Sequence, residues 1–399
     1  MASALRRSLP FALVFAASVW LASSIAATGD WDSDSWPAVS ALSHGRMGDY
    51  LSAKAMMGPF STLVQAPFAA VSGGGEELHV YRWAAFPCLL ALGLLALYLA
   101  RIAGRRGATP LTQVLLAALC LVNPLTIEAL QSGHPEELLT AALAVGAVAA
   151  ASENRRWTTA ILLGLALASK QWAVIAILPA LMALPERRLR VGLAAAAIVA
   201  ALVLPGIVAA PGSFAEVHQH AASTGRIVTP WSVWYPAASV NTQLYHVDGT
   251  TLVAQVHQLP PVVGTVSHPV IVLLVLVVPL GLAARRGRLG LSGADAMALL
   301  ALLALLRCAL DPLDNVYYHA PLLLALIGWD ALAPRGLPLR ALAGAAIALL
   351  FRHWSLHLTD LVAYNDAYVA VVVLAGAAIA VTLFRPGRRF TAYPAAAPA

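Results

Sequence analysis

The stretch from Arg155 to Arg190, RRWTTAILLGLALASKQWAVIAILPALMALPERRLR, decides the fold. Between its two arginine clusters the chain is almost wholly apolar, broken only at Lys170-Gln171-Trp172. Residues 158–169 make roughly 18 Å of helix against a hydrocarbon core of about 30 Å, and 171–185 do little better. Read as one tilted helix, 158–185 spans a bilayer with a lysine at its centre and carries its arginine clusters to opposite sides. Read as two short helices meeting at Lys170, it returns both clusters to one side and holds the break within protein rather than in lipid. The second reading is preferred.

The rest of the chain has the same character. Of 399 residues, 60% are hydrophobic and only 11% charged, with mean hydropathy +0.77. A water-soluble fold would leave far too much apolar surface exposed, so the solvent is lipid. Further apolar runs lie at 9–28, 83–100, 110–127, 137–152, 191–210, 268–284, 293–309, 320–333, 341–352 and 367–384. With the two short ones they make twelve, which puts both termini on one side. Eighteen of the 25 basic residues cluster on that side, at Arg6/Arg7, Arg101/Arg105/Arg106, Arg155/Arg156, Arg187/Arg188/Arg190, Arg285/Arg286/Arg288, Arg335/Arg340 and Arg385/Arg388/Arg389. The positive-inside rule makes it the cytoplasm. Only Glu153, Glu186, Asp295 and Asp330 of the 19 acids fall there, and all eleven histidines fall outside. The ionisable chemistry is therefore extracytoplasmic.

The expectation is an all-α polytopic membrane protein of about twelve helices in one domain, residues 1–390, followed by a disordered tail, 391–399. Two long outer loops, about 29–80 and 211–267, are of a length that is usually functional. The first run also fits a signal peptide, with Arg6/Arg7 before it and Ser24-Ile25-Ala26 after, but its length favours a retained span. The net charge of +6 is spread over short clusters rather than one stripe, which argues for topology and against nucleic acid. Cys88, Cys120 and Cys308 show no metal or disulfide spacing and read as inert packing residues. The preference for arginine and alanine fits a GC-rich bacterial genome.

Four constellations stand out on the outer side. The first loop opens Gly29-Asp30-Trp31-Asp32-Ser33-Asp34-Ser35-Trp36-Pro37, three carboxylates at headgroup level. They read either as a solvated cap with interfacial tryptophans or as the source of a general base, which needs only one of them. Between the third and fourth runs sits Gly133-His134-Pro135-Glu136-Glu137. Proline and acids in a first turn are ordinary helix-start chemistry and account for Pro135 and Glu136. They leave His134 and Glu137 unexplained. Arg307-Cys-Ala-Leu-Asp311-Pro312-Leu-Asp314-Asn315-Val-Tyr317-Tyr318-His319 places an arginine inside an apolar boundary, which is expensive and marks function, although Arg307 and Asp311 are also spaced to pair on a helix. The second loop carries His218, His220, Arg226 and the aromatic trio Trp231, Trp234, Tyr235. Its aromatic faces suit a sugar or a lipid equally. His353 and His357 have zinc spacing but no third ligand nearby in sequence.

In these motifs the chain resembles the GT-C superfamily of polyprenyl-phosphate-sugar-dependent glycosyltransferases, and most of all glycosyltransferase family 87, the bacterial α-mannosyltransferase-like group. The first-loop acids, the Gly133 to Glu137 turn, Lys170-Gln171-Trp172 and Arg307 to His319 carry the resemblance, which covers most of residues 1–335. It implies a GT-C-like bundle with an extracytoplasmic site, where a first-loop aspartate, Asp34 first and Asp32 second, is the base on an acceptor hydroxyl. A hexose, mannose above all, then passes with inversion from a polyprenyl-monophosphate donor to a glycolipid or cell-envelope glycan. Donor-phosphate contacts fall to Arg307, Lys170, Arg226 and His319. Substrate contacts fall to His134, Glu137, Gln171, Trp172, Asp311, Asn315, Tyr318, Trp231 and Trp234. No metal or other cofactor is implied. The competing reading is a multi-pass transporter or lipid flippase, for which paired broken helices in related halves would be the sign. A non-catalytic scaffold is disfavoured by the Arg307 to His319 cluster.

Overall fold

The computed structural model describes residues 2–223, 227–247, 250–334, 336–357 and 360–385. Alanine and leucine dominate the apolar runs and both favour helix, so nearly everything described is helical. The first long link holds four helices after α1 (Ala2–Ser23): α2 (Trp31–Asp34), α3 (Trp36–Ser43), α4 (Met47–Ser52) and α5 (Pro59–Val71). There follow α6 (Glu77–Arg105), α7 (Pro110–Leu121), α8 (Pro124–Gln131), α9 (Pro135–Ser152) and α10 (Arg156–Ser169). A 3-10 turn, Gln171–Ala176, leads into α11 (Ile177–Ala183), α12 (Arg188–Ala209) and α13 (Pro211–Ser223). Antiparallel strands β1 (Ser239–Val247) and β2 (Thr250–Gln258), paired Ser239 to Gln258 through Val247 to Thr250, precede α14 (Pro261–Arg286). The chain closes with α15 (Gly293–Leu310), a 3-10 turn Val316–His319, α16 (Ala320–Leu332), α17 (Leu339–Ser355) and α18 (Leu361–Phe384). Proline at the first position starts α5, α7, α8, α9 and α14, where its missing N–H costs nothing.

All twelve apolar runs are helical, and among the described residues seven helical stretches are long and apolar enough to cross a membrane. The protein is a polytopic membrane protein, with several shorter apolar helices among its spans. Two features differ from the sequence reading. The second long link ends at Pro260 rather than 267, because α14 begins two turns early, and it contains a β-hairpin in an otherwise helical chain. The break at Lys170 is present, with α10 and α11 as separate short helices on either side. Arg226 and the tail 391–399 lie outside the described residues.

The centre of the bundle is α9, built largely of alanine, whose residues 135–151 are all buried. Small side chains let α6, α10, α11, α15 and α16 close around it. Its neighbour α15 is nearly as enclosed. The N-terminus of α9, the C-terminus of α10 and the C-terminus of α15 therefore meet in the interior at one end of the bundle. At the other end the arginine-bearing links pair with acids: Arg105 and Arg106 with Glu153, Arg156 with Glu186, Arg286 with Asp295, and Arg340 with Asp330.

Candidate active site

The first link reaches the helix ends through three glycines. Gly29 and Gly133 both have positive φ, +55° and +86°, and their backbones touch: a β-carbon on Gly29 would lie 2.2 Å from the Ser132 carbonyl carbon, and one on Gly133 2.4 Å from the Trp31 nitrogen. Only glycine permits that approach. It lets Asp30 N–H donate to the Ser132 carbonyl at 3.1 Å and delivers the acidic run onto the His134 turn. Gly58 does the same at the other end of the link, its N–H donating to the Ser169 carbonyl at 2.7 Å with no room for a β-carbon. Between them Met56 N–H donates to the Asp34 carbonyl. Buried Trp31 anchors the run, its indole N–H donating to Gln65 at 2.9 Å.

From this junction a continuous chain of polar contacts runs through the bundle. Asp30 faces His134 Nε2 at 3.4 Å, and His134 Nδ1 meets buried Glu136 at 3.0 Å. The Lys170 ammonium lies 3.0 Å from Glu136 and 3.4 Å from Glu137. Glu137 accepts the Trp172 indole N–H at 2.7 Å. The Arg307 guanidinium then sits over the rings of Trp172 and Tyr318, 5.1 and 4.5 Å from their centroids. Tyr317 stacks on His134 at 4.6 Å, so the late turn closes back on the early one.

Charges set the character of each group. Burial works against a charged His134, but hydrogen bonds to Asp30 and Glu136 outweigh it and raise its pKa to about 9. The His134 hydrogen bond holds Asp30 below the ordinary carboxylate value. Asp34 shifts the other way: it is half-buried, and desolvation raises its pKa against the opposing Ser33 hydrogen bond and the charges of His134 and Lys170. Asp32 is exposed and accepts from the neighbouring Ser33 N–H. Asp34 is the carboxylate suited to proton transfer.

Other sequence candidates are placed differently. Lys170 is already neutralised by two glutamates, whereas Arg307, among the described residues, forms no ion pair. His319 accepts or donates at 3.1 Å with the Tyr368 hydroxyl. Trp231 is buried among His319, Phe351, Tyr364 and Tyr368. Trp234 instead ties its loop to the Leu310 carbonyl, a structural bond. Asp311 caps its own turn by accepting from Leu313 N–H, Asn315 donates to the Tyr317 hydroxyl, and Gln171 lies exposed beside Trp172. Arg307 and Asp311 do not pair, because the helix ends between them. His353 and His357 lie ring against ring at a tilt, 4.8 Å apart, at the surface.

The sequence missed three members of the chain. Asp30 stood in the right run but without any sign of a histidine partner 104 residues away. Glu136 was ascribed to helix-start chemistry, and nothing in the sequence announced Lys170 above it. Tyr317 is indistinguishable in sequence from its neighbour Tyr318.

A family model, Glycosyltransferase family 87, matches residues 57–311. The chain belongs to glycosyltransferase family 87. This family 87 member is therefore a glycosyltransferase, and the resemblance read from its motifs was to the right family. The matched residues include His134 to Glu137, Lys170 to Trp172 and Arg307, but begin after Asp34 and end before His319. No curated protein and no solved structure matches it.

Proposed function

We propose that the protein is an inverting, extracytoplasmic hexosyltransferase that moves a sugar, mannose first, from a polyprenyl monophosphate to a glycolipid or cell-envelope glycan. The observation that carries this reading is the convergence of half-buried Asp34 with a fixed set of cations, His134, Lys170 and Arg307, at one end of the bundle. Asp34 takes the proton of the acceptor hydroxyl as its oxygen attacks the anomeric carbon. The bond from that carbon to the phosphate oxygen breaks, and the polyprenyl phosphate leaves with the electron pair. Arg307, which forms no ion pair among the described residues, stabilises the leaving phosphate together with Lys170. Glu136 and Glu137 are positioning residues that hold Lys170 and Trp172.

A lipid-borne donor also needs a place for its chain. A cleft of about 360 Å³ runs beside α16 between α17 and α18, lined by apolar residues such as Leu322, Ile347, Val371 and Ala375. The two helices that flank it touch at their connecting end, through Phe351, Trp354 and Tyr364, and lean on different neighbours, α16 and α15, further down. Trp231, His319 and Tyr368 line it at the end nearer the polar chain. Sidedness supports the same donor. Each acid assigned to the cytoplasm pairs with an arginine of the clustered links, and nucleotide sugars are confined to that side.

Purified protein in detergent or nanodiscs, given polyprenyl-phosphate-mannose and a membrane glycolipid extract, should yield a mannosylated lipid and free polyprenyl phosphate. Turnover with a nucleotide sugar instead, and none with the lipid donor, would refute the proposal.

A further inference from the structure

Behind the cleft lies a cluster that the transfer chemistry does not use. Cys308, near the end of α15, Asp314 in the following loop, and His319 in the 3-10 turn bring a sulfur, a carboxylate oxygen and a ring nitrogen all within 4.8 Å of one another. Cys308 and Asp314 are fully buried. Among the described residues neither oxygen of Asp314 has a partner at close hydrogen-bond geometry, and only the Tyr368 hydroxyl and the more distant Arg307 charge favour the ionised form of this carboxylate sealed from water. His319 Nδ1 faces the Val316 carbonyl at 3.2 Å and so carries the ring proton, which leaves Nε2 an acceptor, 3.1 Å from the Tyr368 hydroxyl and 3.4 Å from Asp314 Oδ2. The single Tyr368 hydroxyl hydrogen can serve only one of these two acceptors, and a positive charge between them would satisfy both. A backbone carbonyl that fixes the tautomer of a histidine is also how ligating histidines are oriented.

We propose that Cys308, Asp314 and His319 hold a divalent transition-metal ion of the zinc type. Sulfur, nitrogen and one carboxylate are the donor set such an ion prefers, and three protein ligands leave a fourth position. That position is reached from the cleft, since His319 and Tyr368 line it. Zinc bond lengths place ligand atoms roughly 3.3–3.8 Å apart, so the cluster needs to contract by about 1 Å, within the reach of a loop and a 3-10 turn. Binding displaces the thiol proton of Cys308, and the proton of Asp314 when it carries one. The carboxylates of Asp311 and Glu137 lie close enough to act on the same groups and favour a cation there, against the opposing charge of Arg307. The inference stands independently of the sugar donor.

The full-length protein, stripped with chelator, exposed to Zn²⁺ and desalted, should retain one zinc per chain by elemental analysis. Co²⁺ should give a thiolate charge-transfer band in the near ultraviolet. C308S should remove that band and D314N weaken retention by about tenfold or more. C120S, which alters a buried cysteine on α7, should keep both signals. Elution volume and Tm of each variant separate lost metal from lost fold, and the Co²⁺ spectrum of the unmutated protein needs no variant. No retained zinc and no thiolate band in the unmutated protein would overturn the proposal, leaving a protonated Asp314 hydrogen-bonded within the cluster.

Discussion

Asp34 and Asp32 stand two residues apart in a tandem that the sequence cannot resolve, and the fold separates them by burial. Desolvation raises the pKa of Asp34, which makes it a stronger base than an ordinary carboxylate, while the Asp32 side chain faces water. The acid limb of kcat/KM should therefore fall at a pH above the ordinary carboxylate value of 3.8, and D32N should leave its position unchanged. His134 gives the opposite limb. Its pKa rises from 6.5 to about 9 on folding, so its stabilising charge is fully present below pH 6.5 and is lost as pH passes 9. The loss is on the order of 3 kcal/mol, and a Tm measured from pH 6.5 to 10 should fall in the natural protein while H134Q, already destabilised, stays flat. Glu136 shows what residue types alone conceal. In sequence it is one more acid at a helix start, yet in the fold it is the buried counterion of both Lys170 and His134.

At the scale of elements, the twelve helical runs were legible because lipid demands long apolar stretches, and the break at Lys170 because a polar Lys-Gln-Trp interrupts two runs each too short to span alone. The hairpin of β1 and β2 was not legible. It has no hydrophobic partner sheet, and its pairing is local to a link whose polar alternation looks like any loop. The docking of the first link was equally hidden, since it depends on backbone contact between glycines more than a hundred positions apart. That docking yields a sharp expectation. Gly133→Val would force a β-carbon into the Trp31 and Thr28 backbone at a positive φ. It should lower stability by about 2–4 kcal/mol and release the acidic run, read as a Tm drop and new proteolysis between Gly29 and Gly58. A substitution at exposed Gly48, where φ is ordinary and a β-carbon meets nothing, should cost far less.

For the whole molecule, the polar chain from Asp30 to Tyr318 joins the first link, the starts and ends of three central helices, and the late 3-10 turn. The apolar cleft between α17 and α18 opens beside it. If the cleft holds the donor's chain, A375W, which fills its wall, should raise KM for a long-chain donor about tenfold or more with kcat little changed, and affect a water-soluble short-chain donor far less. The sequence carries a charge asymmetry from which a sidedness is proposed, but it gives no sign of the cleft, because the lining residues are ordinary apolar positions on helices that all face lipid somewhere. The account rests most directly on one carboxylate in that setting. Single-turnover transfer from polyprenyl-phosphate-mannose, compared between D34N and D32N, tests it. D34N should reduce the rate about 10²–10⁴-fold with donor binding retained, and D32N should stay close to the natural rate. Full transfer by D34N would contradict the account.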